Sequence, residues 1–169
     1  MSKLSDATLA VAISQIGQKE NPLGSNWGHP VQDYLASVGI HFPASWCMAF
    51  LFWCTDQAVK QLVAAGTAVW IPGLQTYNPL AVTGGVLNQW KTIRPDYKVQ
   101  PGEAPQAGDI FIMDLGSGLG HTGIVESVDA DGTLHTIEGN TNDTGSREGI
   151  EVDRKIRHNQ HPIIGYIRF

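Results

Sequence analysis

Residues 45–54 read SWCMAFLFWC and hold the two cysteines of the chain, Cys47 and Cys54. The run follows Gly39 and Pro43, loop residues after which a helix is expected to begin, with Ser45 as its N-cap and Cys47 in its first turn. At about 100° per residue, Cys47, Phe50, Leu51, Cys54 and Ala58 share one stripe. Trp46, Ala49 and Trp53 occupy the other side, so the helix is apolar nearly all round and belongs in a core. Its rise sets the two cysteine Cα atoms roughly 10 Å apart, beyond the disulfide limit of about 7 Å. The two thiols therefore have separate fates. Cys47 stands at the positive end of the helix dipole, among backbone N–H groups that favour a thiolate and can hold an oxyanion. Cys54 lies two turns deeper, where a thiol acts as a small hydrophobe. From this segment alone, Cys47 reads equally as a reactive and as a core cysteine.

Around this helix the chain changes character. Up to about residue 92, apolar residues recur at helical spacing: Leu9, Ala12, Ile13 and Ile16, then Val31, Tyr34, Leu35 and Val38, closed by Gly17 and Gly39. From Asp109 onward, DIFIMDL, HTGIVESV, TLHTIEGN, GIEVDRKIR and IIGYIRF read as short strands separated by glycine and aspartate turns. The proline-rich stretch 72–105 reads as loops around one helix near Thr83 to Thr92. Helices followed by strands predict an α+β domain, helical over about 1–92 and stranded over about 108–169, with an antiparallel sheet of about five to six strands.

The chain has 169 residues, 42% of them hydrophobic, and a net charge of -5. One domain over 1–169, with one core, is expected. The eleven Lys and Arg are scattered. The densest group, Arg154, Lys155 and Arg157, is interleaved with Glu151 and Asp153, so nucleic acid is not an expected partner. No apolar run approaches the roughly 18 to 20 residues of a membrane span. The N-terminus, MSKLSDATLAVAISQIG, reads as a helix and not as a secretion signal.

A thiol nucleophile needs a base. His29 and His41 lie in the helical half, and His158 and His161, in HNQH near the last turn, lack the i, i+4 spacing of a helical metal pair. His121 and His135 lie on the two arms of an expected hairpin, HTGIVESVDADGTLHTIEGN. If Ala130 and Asp131 form a two-residue loop, His121 faces Asn140 and sits diagonally from Glu138, so the three side chains project together. His135 falls on the other face. A carboxylate beside a histidine fixes its tautomer and leaves the second nitrogen to act as base.

The ordered runs WCMAF, PQAGDIFIM, GHTGIVESV and HTIEGNTN resemble the CHAP family of cysteine- and histidine-dependent amidohydrolases and peptidases. The likeness extends to IGQKENPLGSN and VQDYLASVG and covers nearly the whole chain. It implies a papain-like fold with Cys47 as nucleophile, His121 as general base, Glu138 as the orienting residue and Asn140 as a further amide of the site. The substrate it implies is an amide bond of bacterial peptidoglycan, within the stem peptide or cross-bridge, or between sugar and stem. Some members bind calcium through an aspartate-rich loop before the cysteine. Here that loop reads GIHFPASW and carries no carboxylate, so no metal or cofactor is expected. No glutamine stands between Gln32 and Cys47, which leaves the second oxyanion donor unassigned.

Weaker candidates for substrate contact are Glu20 and Asn26, in a loop able to wall a groove, and Trp46 beside the nucleophile. Solvated loop roles for the first two and a core role for the tryptophan are the commoner alternatives. A zinc site of Cys47, His121 and Glu138 and a non-catalytic wall-binding module are the two readings of other classes. The chain is expected to act as a monomer on the cell wall, reached by lysis or dedicated secretion, and to cut the peptide part of peptidoglycan.

Overall fold

A computed structural model of the chain describes residues 2–71, 73–100, 102–141, 149–158 and 162–169. Among the described residues four α-helices come first, α1 (Lys3–Ser14), α2 (Val31–Ser37), α3 (Cys47–Ala64) and α4 (Val86–Thr92), then a 3-10 turn over Pro95–Tyr97. Five strands follow: β1 (Ile110–Gly116), β2 (Leu119–Val128), β3 (Leu134–Thr141), β4 (Glu151–Arg157) and β5 (Ile163–Ile167). They form one antiparallel sheet in the order β4-β3-β2-β1-β5. The helical half and the stranded half are therefore arranged as the periodicities predict. Thr83 organises the start of α4, accepting from the Gly85 N–H at 3.1 Å and from Asn88 Nδ2 at 3.1 Å.

The apolar run of α3 makes it the axis of the core. Met48, Ala49, Phe50, Leu51 and Cys54 have no exposed surface, and the helix packs on α1 and α2 and on strands β2 and β3. Tyr34 of α2 meets Phe50 edge-on at 5.3 Å and Trp53 at 5.1 Å. Such ring contacts contribute about 0.5–1.5 kcal/mol each beyond their buried area. Alternation along the strands divides the sheet into two faces. Ile110, Ile112, Ile124, Ile137 and Val152 pack toward the helices, and Phe111, Met113, Val125, Leu134 and Tyr166 form a smaller cluster on the other side.

The β2–β3 hairpin reaches the expected pairing by another route. Asp129 pairs with Thr133 (N···O 2.9 Å), so the loop has three residues, Ala130 to Gly132, with Gly132 at φ +86°. A left-handed glycine closing a three-residue loop is a common hairpin solution. An odd loop alone would turn His121 to the wrong face. A register shift between Val125 and Ser127 restores parity, and Ile124 then opposes Ile137. With that parity His121 and Glu138 project to the same face and meet at 2.7 Å, as the two-residue loop would have placed them.

Candidate active site

Cys47 opens α3 and is 3% exposed. The N-cap position falls on Trp46, one residue later than expected, and its side chain makes no cap bond. Ser45 stands outside the helix. The first-turn N–H groups have no intrahelical acceptor and surround the start of the helix, where a developing oxyanion would need donors.

The reason for the shifted cap is tertiary. Trp46 is fully buried, its ring centroid 5.6 Å from that of Tyr34. Its indole N–H donates to Glu20 Oε1 at 2.9 Å, and Glu20 Oε2 accepts from the Asn26 backbone N–H at 3.0 Å. Glu20 is itself buried. The three residues expected along a substrate wall are thus joined as a bracket that ties the 20–26 loop to the helix start. A buried carboxylate so satisfied fixes geometry, because removing either donor leaves a desolvated charge short of a partner.

His121 projects from β2 with 2% exposure, and its Nε2 lies 2.7 Å from Glu138 Oε2 on β3. Its Nδ1 has no hydrogen-bond partner of regular geometry among the described residues, and the Cys47 sulfur is close enough to act on the imidazole's protonation. Glu138 is completely buried. Besides His121 it accepts from Thr136 Oγ1 at 2.6 Å and from Arg157, whose Nε reaches Oε1 at 2.6 Å and whose Nη2 reaches Oε2 at 2.5 Å. Sequence reasoning missed Thr136 and Arg157, which converge on Glu138 only through the β3–β4 register that sets Thr136 against Lys155 and Leu134 against Arg157.

Gly123 makes room for this arrangement. A Cβ there would come within 2.6 Å of Glu138 Cγ, 2.7 Å of Phe111 Cε1 and 2.8 Å of the Ile137 carbonyl. A glycine inside a strand marks such a close approach, and this one lets the Glu138 side chain cross β2 to its histidine. Gly123→Ala is expected to destabilise the fold by about 1–3 kcal/mol, as overpacking does, and to lower activity further by displacing Glu138. Denaturant unfolding read beside turnover of the still-folded fraction checks both effects.

Burial acts against the charged form of His121, but hydrogen bonds and charge attraction from Cys47 and Glu138 outweigh it and lift the imidazole to about 9. Burial likewise opposes ionised Glu138, and hydrogen bonds from His121 and Arg157 overcome it, holding the carboxyl down at about 2. An imidazolium facing a carboxylate is therefore the stable pair across the neutral range.

Asn140 is fully buried, and neither amide atom of its side chain has a hydrogen-bond partner among the described residues. It sits at φ +54°, within a register shift of β3 between Glu138 and Thr141. The expectation that it projects beside His121 on an unbroken strand is modified by that left-handed backbone, and no bond joins it to His121 or Glu138. Of the other histidines, His135 pairs with Asp129 at 2.9 Å, His29 with Asp33 at 3.1 Å, and His158 approaches Thr133 Oγ1 at 3.3 Å. His161 lies outside the described residues. Cys54 is fully buried, and burial pushes its thiol well up. Among the described residues no three His, Cys, Asp or Glu side chains converge as a metal-binding group. Glu138 takes one nitrogen of His121 and leaves the other toward Cys47, a line and not a shared centre.

Residues 39–140 match the CHAP domain. No curated protein matches the chain. Among solved structures, the wild-type endolysin LysIME-EF1 is similar over 99% of this chain and 64% of its own, with a TM-score of 0.56 and 21% identity. The chain thus spans less than two-thirds of that protein, and the likeness is one of fold. The profile match covers the α3 cysteine, the β2 histidine and the β3 carboxylate in one span, and the chain belongs to the CHAP domain family.

Proposed function

We propose that the chain is a cysteine hydrolase that cleaves an amide bond in the peptide part of bacterial peptidoglycan. The observation that carries this reading is the line of Cys47, His121 and Glu138, with the histidine bonded to a buried carboxylate at 2.7 Å and its other nitrogen left to the cysteine. Membership of the CHAP family and the fold shared with an endolysin support a cell-wall substrate. The helical and stranded halves act as one catalytic domain, since one supplies the nucleophile and the other the base.

In the mechanism the Cys47 thiol proton already rests on His121 Nδ1, so that a thiolate faces the imidazolium. The sulfur attacks the carbonyl carbon, and the carbonyl electron pair moves to oxygen, held by the Cys47 backbone N–H. Collapse breaks the C–N bond while imidazolium protonates the leaving amine. Water then gives a proton to His121, its oxygen attacks the thioester, and the C–S bond breaks, releasing the acid, whose proton passes to solvent, and restoring the thiolate beside the imidazolium. Glu138 keeps the ring aimed and compensates its charge throughout. The Glu20 bracket holds the cysteine end of the site. Exposed Leu119, on the strand that carries His121, and exposed Phe42, in the loop leading to Cys47, supply apolar surface suited to peptide methyl groups.

Purified sacculi digested by the protein are expected to release new free amines without new reducing sugar ends. Reducing ends without amines would mean a glycosidase and overturn the cysteine mechanism. Product masses ending in lactyl-linked muramic acid would place the cut at the sugar-to-stem bond instead of within the peptide.

A further inference from the structure

Resting on the reaction proposed above, we infer that Arg157 is a positioning residue. Its guanidinium fork holds Glu138 ionised and aimed at His121, and so sets the pH range over which Cys47 is reactive. Two parallel N–H bonds from a guanidinium to one carboxylate combine charge with fixed orientation, which an ammonium does not supply. Arg157 reaches Glu138 from the far end of β4, its guanidinium carbon 5.2 Å from the centre of the Phe111 ring. Only 15% of the side chain is exposed. A side chain spread over a ring and clamped at both ends has little freedom to swing away.

The charge pattern gives the clamp its purpose. When Cys47 is a thiolate, the line reads minus, plus, minus, plus from Cys47 through His121 and Glu138 to Arg157. It is neutral overall, in an interior where uncompensated charge is strongly disfavoured. Without Arg157 the same line carries a net negative charge. The next cations on β4 do not substitute for it. Lys155 shares the Arg157 face and pairs with Asp153 at 2.8 Å, which itself opposes Glu138 across the strands. Arg154 points to the opposite face and pairs with Glu126 at 2.9 Å. On β2 and β3 the remaining titratable neighbour, His135, is turned away toward Asp129.

The test is the rate of iodoacetamide alkylation of Cys47 against pH, in a Cys54→Ala background, for the wild type, Arg157→Lys and Arg157→Met, beside kcat and KM on peptidoglycan fragments. Arg157→Met is expected to move the alkylation midpoint up by about one pH unit, tenfold in thiolate population at fixed pH. It should lower kcat with little change in KM, and Arg157→Lys should fall between. Folded Arg157→Met with the wild-type alkylation profile overturns the proposal. If Arg157→Met does not fold alone, the comparison is made between Glu138→Gln and the double variant Glu138→Gln/Arg157→Met. A residue acting only through Glu138 then adds nothing to the alkylation profile, and a further shift in the double variant overturns the proposal. A wild-type Cys47 that resists alkylation at every pH fails the cysteine mechanism itself. A reactive Cys47 indifferent to Arg157 fails the clamp alone.

Discussion

Cys47→Ala is expected to reduce amide hydrolysis by about 10⁴-fold or more, the scale of losing a nucleophile whose partners act as a unit. The fold should survive it. Cys47 is buried at the first position of α3, and trimming one sulfur there is a small core truncation costing about 1 kcal/mol by analogy with one-methyl deletions. Cys54→Ala is the matched control: a similar loss of stability, with turnover close to wild type, because this thiol is sealed in the core on the same helix. Release of amines from purified peptidoglycan, measured with thermal unfolding of each variant, separates the two. A folded Cys54→Ala that has lost activity, beside an active Cys47→Ala, would exchange the roles of the cysteines and remove His121 from the mechanism.

The parts of the fold legible in the sequence are those set by local periodicity. The all-round apolar run of α3, the glycines after α1 and α2 and the strand alternation all appear where their spacing put them. His121 and Glu138 were legible as a pair because strand parity survives, although the three-residue loop and the shift near Glu126 had to cancel for it to do so. What stayed hidden depends on contacts between distant segments. No local rule favours Trp46 over Ser45 as the N-cap, since the choice follows from a tryptophan bound to Glu20. Arg157 looked like one member of a basic cluster. Its link to Glu138 depends on the β3–β4 register, which includes an irregularity at Asn140 that no propensity announces. Gly123 did carry a signal, a glycine between a histidine and a β-branched run, but its meaning required knowing which side chain crosses it.

Glu138→Gln is expected to cost about a thousandfold to ten-thousandfold in kcat, as loss of the charge that orients a catalytic histidine does. The reason lies in the acceptor pattern. Oε1 receives Thr136 and one Arg157 nitrogen, and Oε2 receives His121 and another Arg157 nitrogen. An amide has one acceptor oxygen, so whichever way it turns, its NH₂ meets a guanidinium donor. Breaking so buried a pair costs roughly 3–5 kcal/mol, to be checked by denaturant unfolding. The pH behaviour identifies the cause. Folded His121 keeps its proton to about 9 against an ordinary value of 6.5, so this proton contributes stability in full below 6.5 and the contribution fades as pH rises through 9. In the Gln variant the opposition of burial to the charged ring is less compensated, and both this loss and the alkaline limb of activity should begin at lower pH. The wild-type carboxylate, held at about 2 against an ordinary 4.5, contributes stability above 4.5 that vanishes as pH falls toward 2, and the variant should lack that acid arm. NMR titration of the His121 ring carbons and the pH profile of kcat/KM read these shifts directly. A Gln variant that keeps wild-type turnover and an unshifted His121 would reduce Glu138 to a structural anchor and leave the catalytic proposal standing on Cys47 and His121 alone.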